Sequence, residues 1–152
     1  FTMMAGLLLG SKLGALSVTL YMLLGLMGLP IFAEGGGIWY VFKPSYGYII
    51  GFIVGAYVTG YIAEKMKKKG IINYLGANLA GLFFVYAIGM IYYYIIGNYV
   101  VDSPIGIWPL FLYCFILAVP GDIALSIFGA VLAKRIRPVI SLGAIMTRNV
   151  AR

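Results

Sequence analysis

The sequence contains no histidine and a single cysteine, Cys114, which lies inside an apolar run. The lack of histidine excludes hydrolases that use a serine–histidine pair and metal sites with imidazole ligands. One cysteine provides neither a disulfide framework nor a thiolate metal cluster. Acidic residues are almost as scarce, because there are only four, at positions 34, 64, 102 and 122. We therefore expect no catalytic residues, metal or cofactor, and a membrane enzyme is a poor interpretation of this chain.

Charged residues of either sign are rare. They make up 10% of the 152 positions, whereas a soluble domain carries about a quarter. A transmembrane helix needs about 20 consecutive apolar residues, and four uncharged runs are of about that length: 13–33, 45–63, 71–101 and 103–121. The sequence therefore predicts an all-α polytopic membrane protein.

Helix-breaking residues divide the apolar runs into crossings. Residues 1–33 as one helix would be about 50 Å long, well beyond the hydrocarbon core of about 30 Å, so we expect a break at residues 10–12. Pro30 ends the next helix, and Pro120 with Gly121 interrupts the last long run. The prediction is a single transmembrane domain over residues 1–152, with spans at about 1–10, 13–29, 46–63, 71–97 and 120–137 and outer loops at about 30–45 and 98–119.

The basic residues determine the predicted orientation. The formal net charge is +7, but the cations stand at the ends of apolar runs and not in a stripe among aromatic residues, which argues against nucleic-acid binding. Alternating the crossings leaves Lys43 on one side and places the other basic residues opposite: Lys12, Lys65, Lys67, Lys68, Lys69, Lys134, Arg135, Arg137, Arg148 and Arg152. By the positive-inside rule, the second side is cytoplasmic, includes the C-terminus and contacts the lipid headgroups.

Asp122 is an isolated charge in the C-terminal apolar region. Twelve residues separate it from Lys134, which is about 18 Å of helix and places the carboxylate in the outer half of the membrane. A carboxylate at mid-depth costs about 2.5–3.5 kcal/mol, so it normally faces a protein interior or a wet cavity. Two interpretations remain open. Asp122 accepts hydrogen bonds from a ligand, or it is the N-cap of the last helix, with Ala124 and Leu125 as donors.

Other polar and small residues have default structural interpretations. We interpret Asn73 and Asn78, at the start of one span, as residues that form interhelical hydrogen bonds. The glycines at 47, 51 and 55 predict close helix packing. For the glycine-rich loop after Pro30 two hypotheses remain, a flexible lid that closes over a ligand and a simple connector.

Three stretches have a distinctive order and spacing: "AGLLLGSKLGALSVTLYMLLGLMGLPIFAEGGG", "KPSYGYIIGF" and "PGDIALSIFGAVLAKRIRP". They resemble the BioY family, the substrate-binding S-components of energy-coupling factor (ECF) biotin transporters, over roughly residues 3–138. The resemblance implies a six-helix S-component bundle with a vitamin pocket near the outer face, roofed by loops. In this family a helix precedes the segment that begins here at Phe1, so we expect the chain to lack most or all of that first helix.

The resemblance also implies residues that bind the substrate, with some departures. The late P-G-D aspartate of the family matches Asp122, but Leu125 stands where a lysine is common. Gly36 stands where some members have a polar residue in the glycine-rich loop, and Tyr48 belongs to the G-Y pair. Lys43, the single cation predicted on the outer side, is our candidate to replace the lysine. We expect these five residues to contact the substrate.

The function implied by the resemblance is the capture of biotin from outside, without enzymatic activity. Because the sequence has no ATP-binding motif, the expected partners are a transmembrane coupling subunit and two ATPase subunits of an ECF module, in the cell membrane of a prokaryote. In this hypothesis Asp122 accepts N–H bonds from the polar ring of the vitamin. The alternatives are an S-component for another small carboxylate vitamin, such as lipoate, and a structural membrane subunit that binds no ligand.

Overall fold

The computed structural model describes residues 2–67, 70–100, 106–112, 116 and 118–150, with the backbone alone for 107, 137 and 139–150. The regular elements of this part of the chain are all helical. One is a short 3₁₀ helix, Ile38–Phe42. The α-helices are α1 Thr2–Leu9, α2 Ser11–Leu26, α3 Tyr46–Lys65, α4 Ile71–Tyr99, α5 Ile107–Phe111 and α6 Val119–Val150.

The helices carry large apolar side chains outward and small ones inward. In α2 the buried positions are small or polar: Ser11, Gly14, Val18 and Gly25. Its exposed positions include Leu13, Leu16, Leu20 and Leu23. This is the reverse of a soluble domain and is the distribution expected where lipid surrounds the helices. Among the described residues, α3 and α4 are long and apolar enough to cross a membrane, with 20 and 29 residues, and they cover the predicted spans 46–63 and 71–97.

The first two helices meet at the predicted break. Gly10 has φ +88°, a conformation that side chains other than glycine rarely adopt. Directly after it, the backbone N–H and the Oγ of Ser11 donate to the Glu64 carboxylate at 2.8 and 2.9 Å. A carboxylate at this position satisfies a helix N-terminal N–H and is attracted by the helix dipole. Glu64, at the end of α3, therefore holds the junction of α1 and α2.

Close backbone contacts between helices depend on glycine. A Cβ at Gly60 of α3 would lie 2.5 Å from the Ser11 nitrogen, and one at Gly6 of α1 would lie 2.3 Å from the Ala56 carbonyl oxygen. A Cβ at Gly51 would lie 2.9 Å from the carbonyl oxygen of Val85 in α4. These distances confirm the packing role predicted for the small residues.

The last helix begins at Val119, within one residue of the predicted start, and the N-cap interpretation of Asp122 is wrong. The Asp122 N–H donates to the Ala118 carbonyl at 3.1 Å, an i to i−4 bond, so Asp122 lies within the first turns of α6. Pro120 also lies in the first turn, where its missing N–H has no intrahelical partner to lose. The side chain of Asp122 is thereby left available for contacts with other helices. At its other end α6 continues through Pro138 to Val150, beyond the end of the span predicted at about 137.

Candidate functional site

A cavity of about 560 Å³ lies between α1, α3, α4 and α6. Its volume is within the range of roughly 300–1,000 Å³ typical of small-molecule sites. The described residues that line it are Thr2, Met3, Met4, Tyr48, Phe52, Asn78, Leu82, Val85, Tyr86, Ala118, Asp122, Leu125, Ser126, Phe128 and Gly129. Apolar and aromatic side chains thus form most of the wall, and a few polar groups are placed among them.

Helical periodicity explains why these residues share one cavity. On α6 four of the five lining residues, Asp122, Leu125, Ser126 and Gly129, are spaced i, i+3, i+4 and i+7, which is one face of a helix. On α4 the lining residues follow the same rule, at positions 78, 82, 85 and 86. The antiparallel packing of α4 against α6 brings the two faces together across the cavity.

Asp122 carries the single charge among the described residues that line the cavity. It is partly buried, and its Oδ2 accepts a hydrogen bond from the Tyr86 hydroxyl. The Tyr86 ring meets the Tyr48 ring edge to face, with centroids 6.4 Å apart and an interplanar angle of 85°. An ionised carboxylate accepts up to about four hydrogen bonds, so Tyr86 orients the group without exhausting its capacity. The arrangement suits a ligand that presents N–H or O–H donors.

Asn78 contributes a second polar group from α4. It is 1% exposed, and its Nδ2 donates to the Ser126 carbonyl at 3.1 Å. This bond confirms the predicted interhelical role of Asn78. Its Oδ1 has no hydrogen-bond partner among the described residues. No sequence pattern places this amide beside Asp122 in particular, because an asparagine in an apolar run indicates only that the amide needs a hydrogen-bond partner.

The structure brings three of the five predicted site residues to the cavity. Asp122, Tyr48 and Leu125 all line it. Leu125 is 54% exposed and presents an apolar surface where a lysine was expected from the resemblance. Tyr86 belongs to the same site and could not be singled out from the sequence, since nothing in its neighbours indicated a carboxylate partner.

The other two predicted site residues, Lys43 and Gly36, do not line the cavity. The Lys43 ammonium pairs with the Glu34 carboxylate at an exposed position and lies 5.3 Å from the centroid of the Tyr40 ring. Gly36 packs against the turn that follows α2, where a Cβ would lie 2.0 Å from the Leu29 carbonyl oxygen. Their predicted contact with a ligand stays a prediction.

The loop of residues 31–45, predicted to lie on the outer side, is held by hydrogen bonds to the helices and does not line the cavity. The Tyr21 hydroxyl of α2 donates to the Ile31 carbonyl at 2.8 Å, and the Tyr92 hydroxyl of α4 donates to the Val41 carbonyl at 2.5 Å. The backbone N–H of Gly37 donates to the carbonyl of Gly25 at 2.7 Å. No described residue of 31–45 lines the cavity. Closure of this loop over a ligand therefore stays a prediction.

The geometry defines a class of protein, an all-helical membrane bundle with a cavity of small-molecule size among its helices. The BioY family matches residues 1–142, and the chain belongs to this family.

Individual relatives agree with the family match. The chain is 37% identical over 136 residues to a probable biotin transporter BioY of Lysinibacillus sphaericus. The aligned segment covers 90% of this chain and 69% of the relative. It is 43% identical over 103 residues to the biotin transporter BioY of Thermotoga maritima, and this aligned segment covers 67% of this chain and 58% of that protein.

A solved structure has the same fold. It is the S-component for biotin from an ECF-type ABC transporter, with a TM-score of 0.76 and 30% sequence identity over 90% of this chain and 71% of that one. The predicted fold class, an all-α membrane protein of the S-component type, is confirmed.

Proposed function

We propose that this chain is the substrate-binding subunit of an ATP-driven ECF vitamin uptake system and that it binds biotin from outside the cell. The observation that carries this proposal is the cavity of about 560 Å³ with Asp122 in a largely apolar wall. Membership of the BioY family and the names of the relatives support biotin as the ligand.

The chemistry of biotin is complementary to this wall. Its ureido ring presents two N–H donors, and the Asp122 carboxylate, oriented by Tyr86, is an acceptor for them. Its thioether ring and aliphatic chain need apolar surface, which Phe52, Leu82 and Val85 provide. Its carboxylate needs a cation or water, and none of the described lining residues is Lys or Arg. The ligand therefore enters with the ureido ring inward and the carboxylate directed out of the cavity.

A binding subunit of this kind depends on partners for transport. The sequence contains no ATP-binding motif, so uptake requires two ATPase subunits and a transmembrane coupling subunit. In this proposal the protein is a multi-pass protein of a prokaryotic cell membrane with its C-terminus in the cytoplasm, as the distribution of basic residues indicates. Co-expression with the three subunits of an ECF module and purification through a tag on this chain tests the association.

Ligand binding to the purified protein tests the function directly. Calorimetric titration in detergent or nanodiscs is expected to give a dissociation constant for biotin below about 1 μM, or about −8 kcal/mol. Binding of lipoate in place of biotin would contradict the biotin assignment and leave the S-component function standing. Absence of any ligand-dependent heat or melting shift with biotin, lipoate and similar acids would favour a structural subunit.

A further inference from the structure

The amide of Asn78 is oriented by its neighbour on α6. The Ser126 carbonyl can only accept a hydrogen bond, so the Asn78 nitrogen must face it, as the 3.1 Å contact shows. The amide oxygen then points away from Ser126. It is buried and has no hydrogen-bond partner among the described residues, although Asn78 lines the cavity.

Packing alone does not explain an asparagine at this position. A buried acceptor without a partner is costly, and an apolar residue would join α4 to α6 without that cost. The neighbouring buried positions on the same helix are small or apolar, including Ala77 and Gly81. An amide among them indicates that its oxygen meets a donor when the cavity is filled.

The position of Asn78 relative to Asp122 matches a ligand with two donors. Ser126 follows Asp122 by four residues on α6, which is about 6 Å along the helix axis. The Asn78 amide and the Asp122 carboxylate therefore lie at successive turns of one cavity wall. A cyclic urea presents two N–H groups that diverge on either side of its carbonyl, so two acceptors at separate levels can bind both.

We propose that Asn78 Oδ1 accepts a hydrogen bond from one ureido N–H of the ligand and that Asp122 accepts from the other. This inference rests on the proposed binding of biotin and adds a specificity-determining residue to it. For a ligand to reach this buried oxygen, neighbouring side chains must move, and the cavity wall includes flexible methionines. Met3 and Met4 line the same cavity, and Met3 packs against α4 at Gly81, three residues after Asn78.

The test combines a substitution with a change in the ligand. Dissociation constants are measured by calorimetry for biotin and for two analogues, each methylated on a different ureido nitrogen. Asn78→Ala is expected to weaken biotin binding about tenfold. One of the two methylations is expected to weaken binding strongly in the wild-type protein but much less in Asn78→Ala. The reason is that this methyl group removes the hydrogen bond to Asn78, which the variant already lacks.

Leu82→Ala is the matched control, since Leu82 lies one helical turn after Asn78 on the same cavity wall but has no polar atom. It is expected to weaken all three ligands by the same factor. Asn78→Leu replaces the amide with an apolar side chain of similar size and serves if the alanine variant does not fold.

The inference would be overturned if each methylation weakened binding by the same factor, within about twofold, in the wild-type protein and in the Asn78 variants. Asn78 would then be a packing residue or a partner of a buried water. Failure of the wild-type protein to bind biotin would instead overturn the proposed function. The two failures are therefore distinguishable.

Discussion

Replacement of Asp122 by asparagine tests the central contact of the proposed site. The substitution keeps the shape of the side chain but removes its charge and leaves one acceptor oxygen. In the structure the Tyr86 hydroxyl donates to this side chain. If the amide oxygen takes that bond, the amide NH₂ faces the ligand, and a donor then stands opposite the donor N–H of the ureido ring.

The expected loss follows from the energy of a single contact. A hydrogen bond to a charged group contributes about 1.5–3 kcal/mol. Since each 1.4 kcal/mol is about a factor of ten in affinity, Asp122→Asn should weaken biotin binding by about 10- to 150-fold. The thermal stability of the protein should not fall, because the variant removes a charge whose insertion in a membrane costs about 2.5–3.5 kcal/mol at mid-depth. Calorimetry and a thermal melt of the same samples measure both quantities.

A second substitution makes this prediction more specific. In the double variant Asp122→Asn with Tyr86→Phe, the hydroxyl that holds the amide oxygen is gone, so the oxygen can turn toward the ligand. We expect the double variant to bind biotin more tightly than Asp122→Asn alone. Tyr86→Phe by itself should have a smaller effect than Asp122→Asn, because the carboxylate remains. A dissociation constant for Asp122→Asn within about twofold of the wild-type value would refute the direct contact.

Three further substitutions test the cavity wall, the loop of residues 31–45 and the helix packing. Leu125→Lys adds a cation three residues from Asp122, at the level of the proposed ureido contacts, so the ratio of the dissociation constants for biotin and biotin amide should stay within about threefold of the wild-type ratio by calorimetry. A selective gain for biotin over its amide would contradict the inward orientation of the ureido ring. Lys43→Met tests the predicted contact of Lys43, which lies outside the cavity in the structure: a loss of affinity beyond about twofold would support that contact, and a smaller change in the dissociation constant would contradict it. Gly60→Ala should lower the melting temperature, since its Cβ would lie 2.5 Å from a backbone nitrogen and overpacking costs about 1–3 kcal/mol. Gly76→Ala, with nothing within 4 Å of its Cβ, is the control and should not lower it.

Features that depend on local chemistry could be predicted from the sequence. The scarcity of charge predicted the all-helical membrane fold, and the excess length of residues 1–33 predicted the break that the structure has at Gly10. Asp122 could be identified because a carboxylate is costly in an apolar run, whatever surrounds it. Tyr48 and Leu125 came from the family resemblance, and both line the cavity.

Features that depend on which helix faces meet could not be predicted. Helix α4 is apolar on nearly all sides, so the sequence pattern does not show which of its faces turns toward α6. That face determines two hydrogen bonds between the helices, one from Tyr86 to Asp122 and one from Asn78 to Ser126. The N-cap interpretation of Asp122 was wrong for another reason. A proline was interpreted as a break before the helix, although the first turn of a helix tolerates proline.

The hydrogen-bond acceptors in the cavity bear on which ligands the proposed site would select. Asp122 and Asn78 both present oxygen atoms, and the described wall contains no cation. A carboxylate that entered first would be placed against a carboxylate and an amide oxygen in an apolar surrounding, where repulsion is strong. A cyclic urea in the same position satisfies both acceptors. If the proposed contacts form, the chain discriminates by the ring of its ligand and not by the acid group, and a cavity without the lysine expected at Leu125 would still select a ureido vitamin.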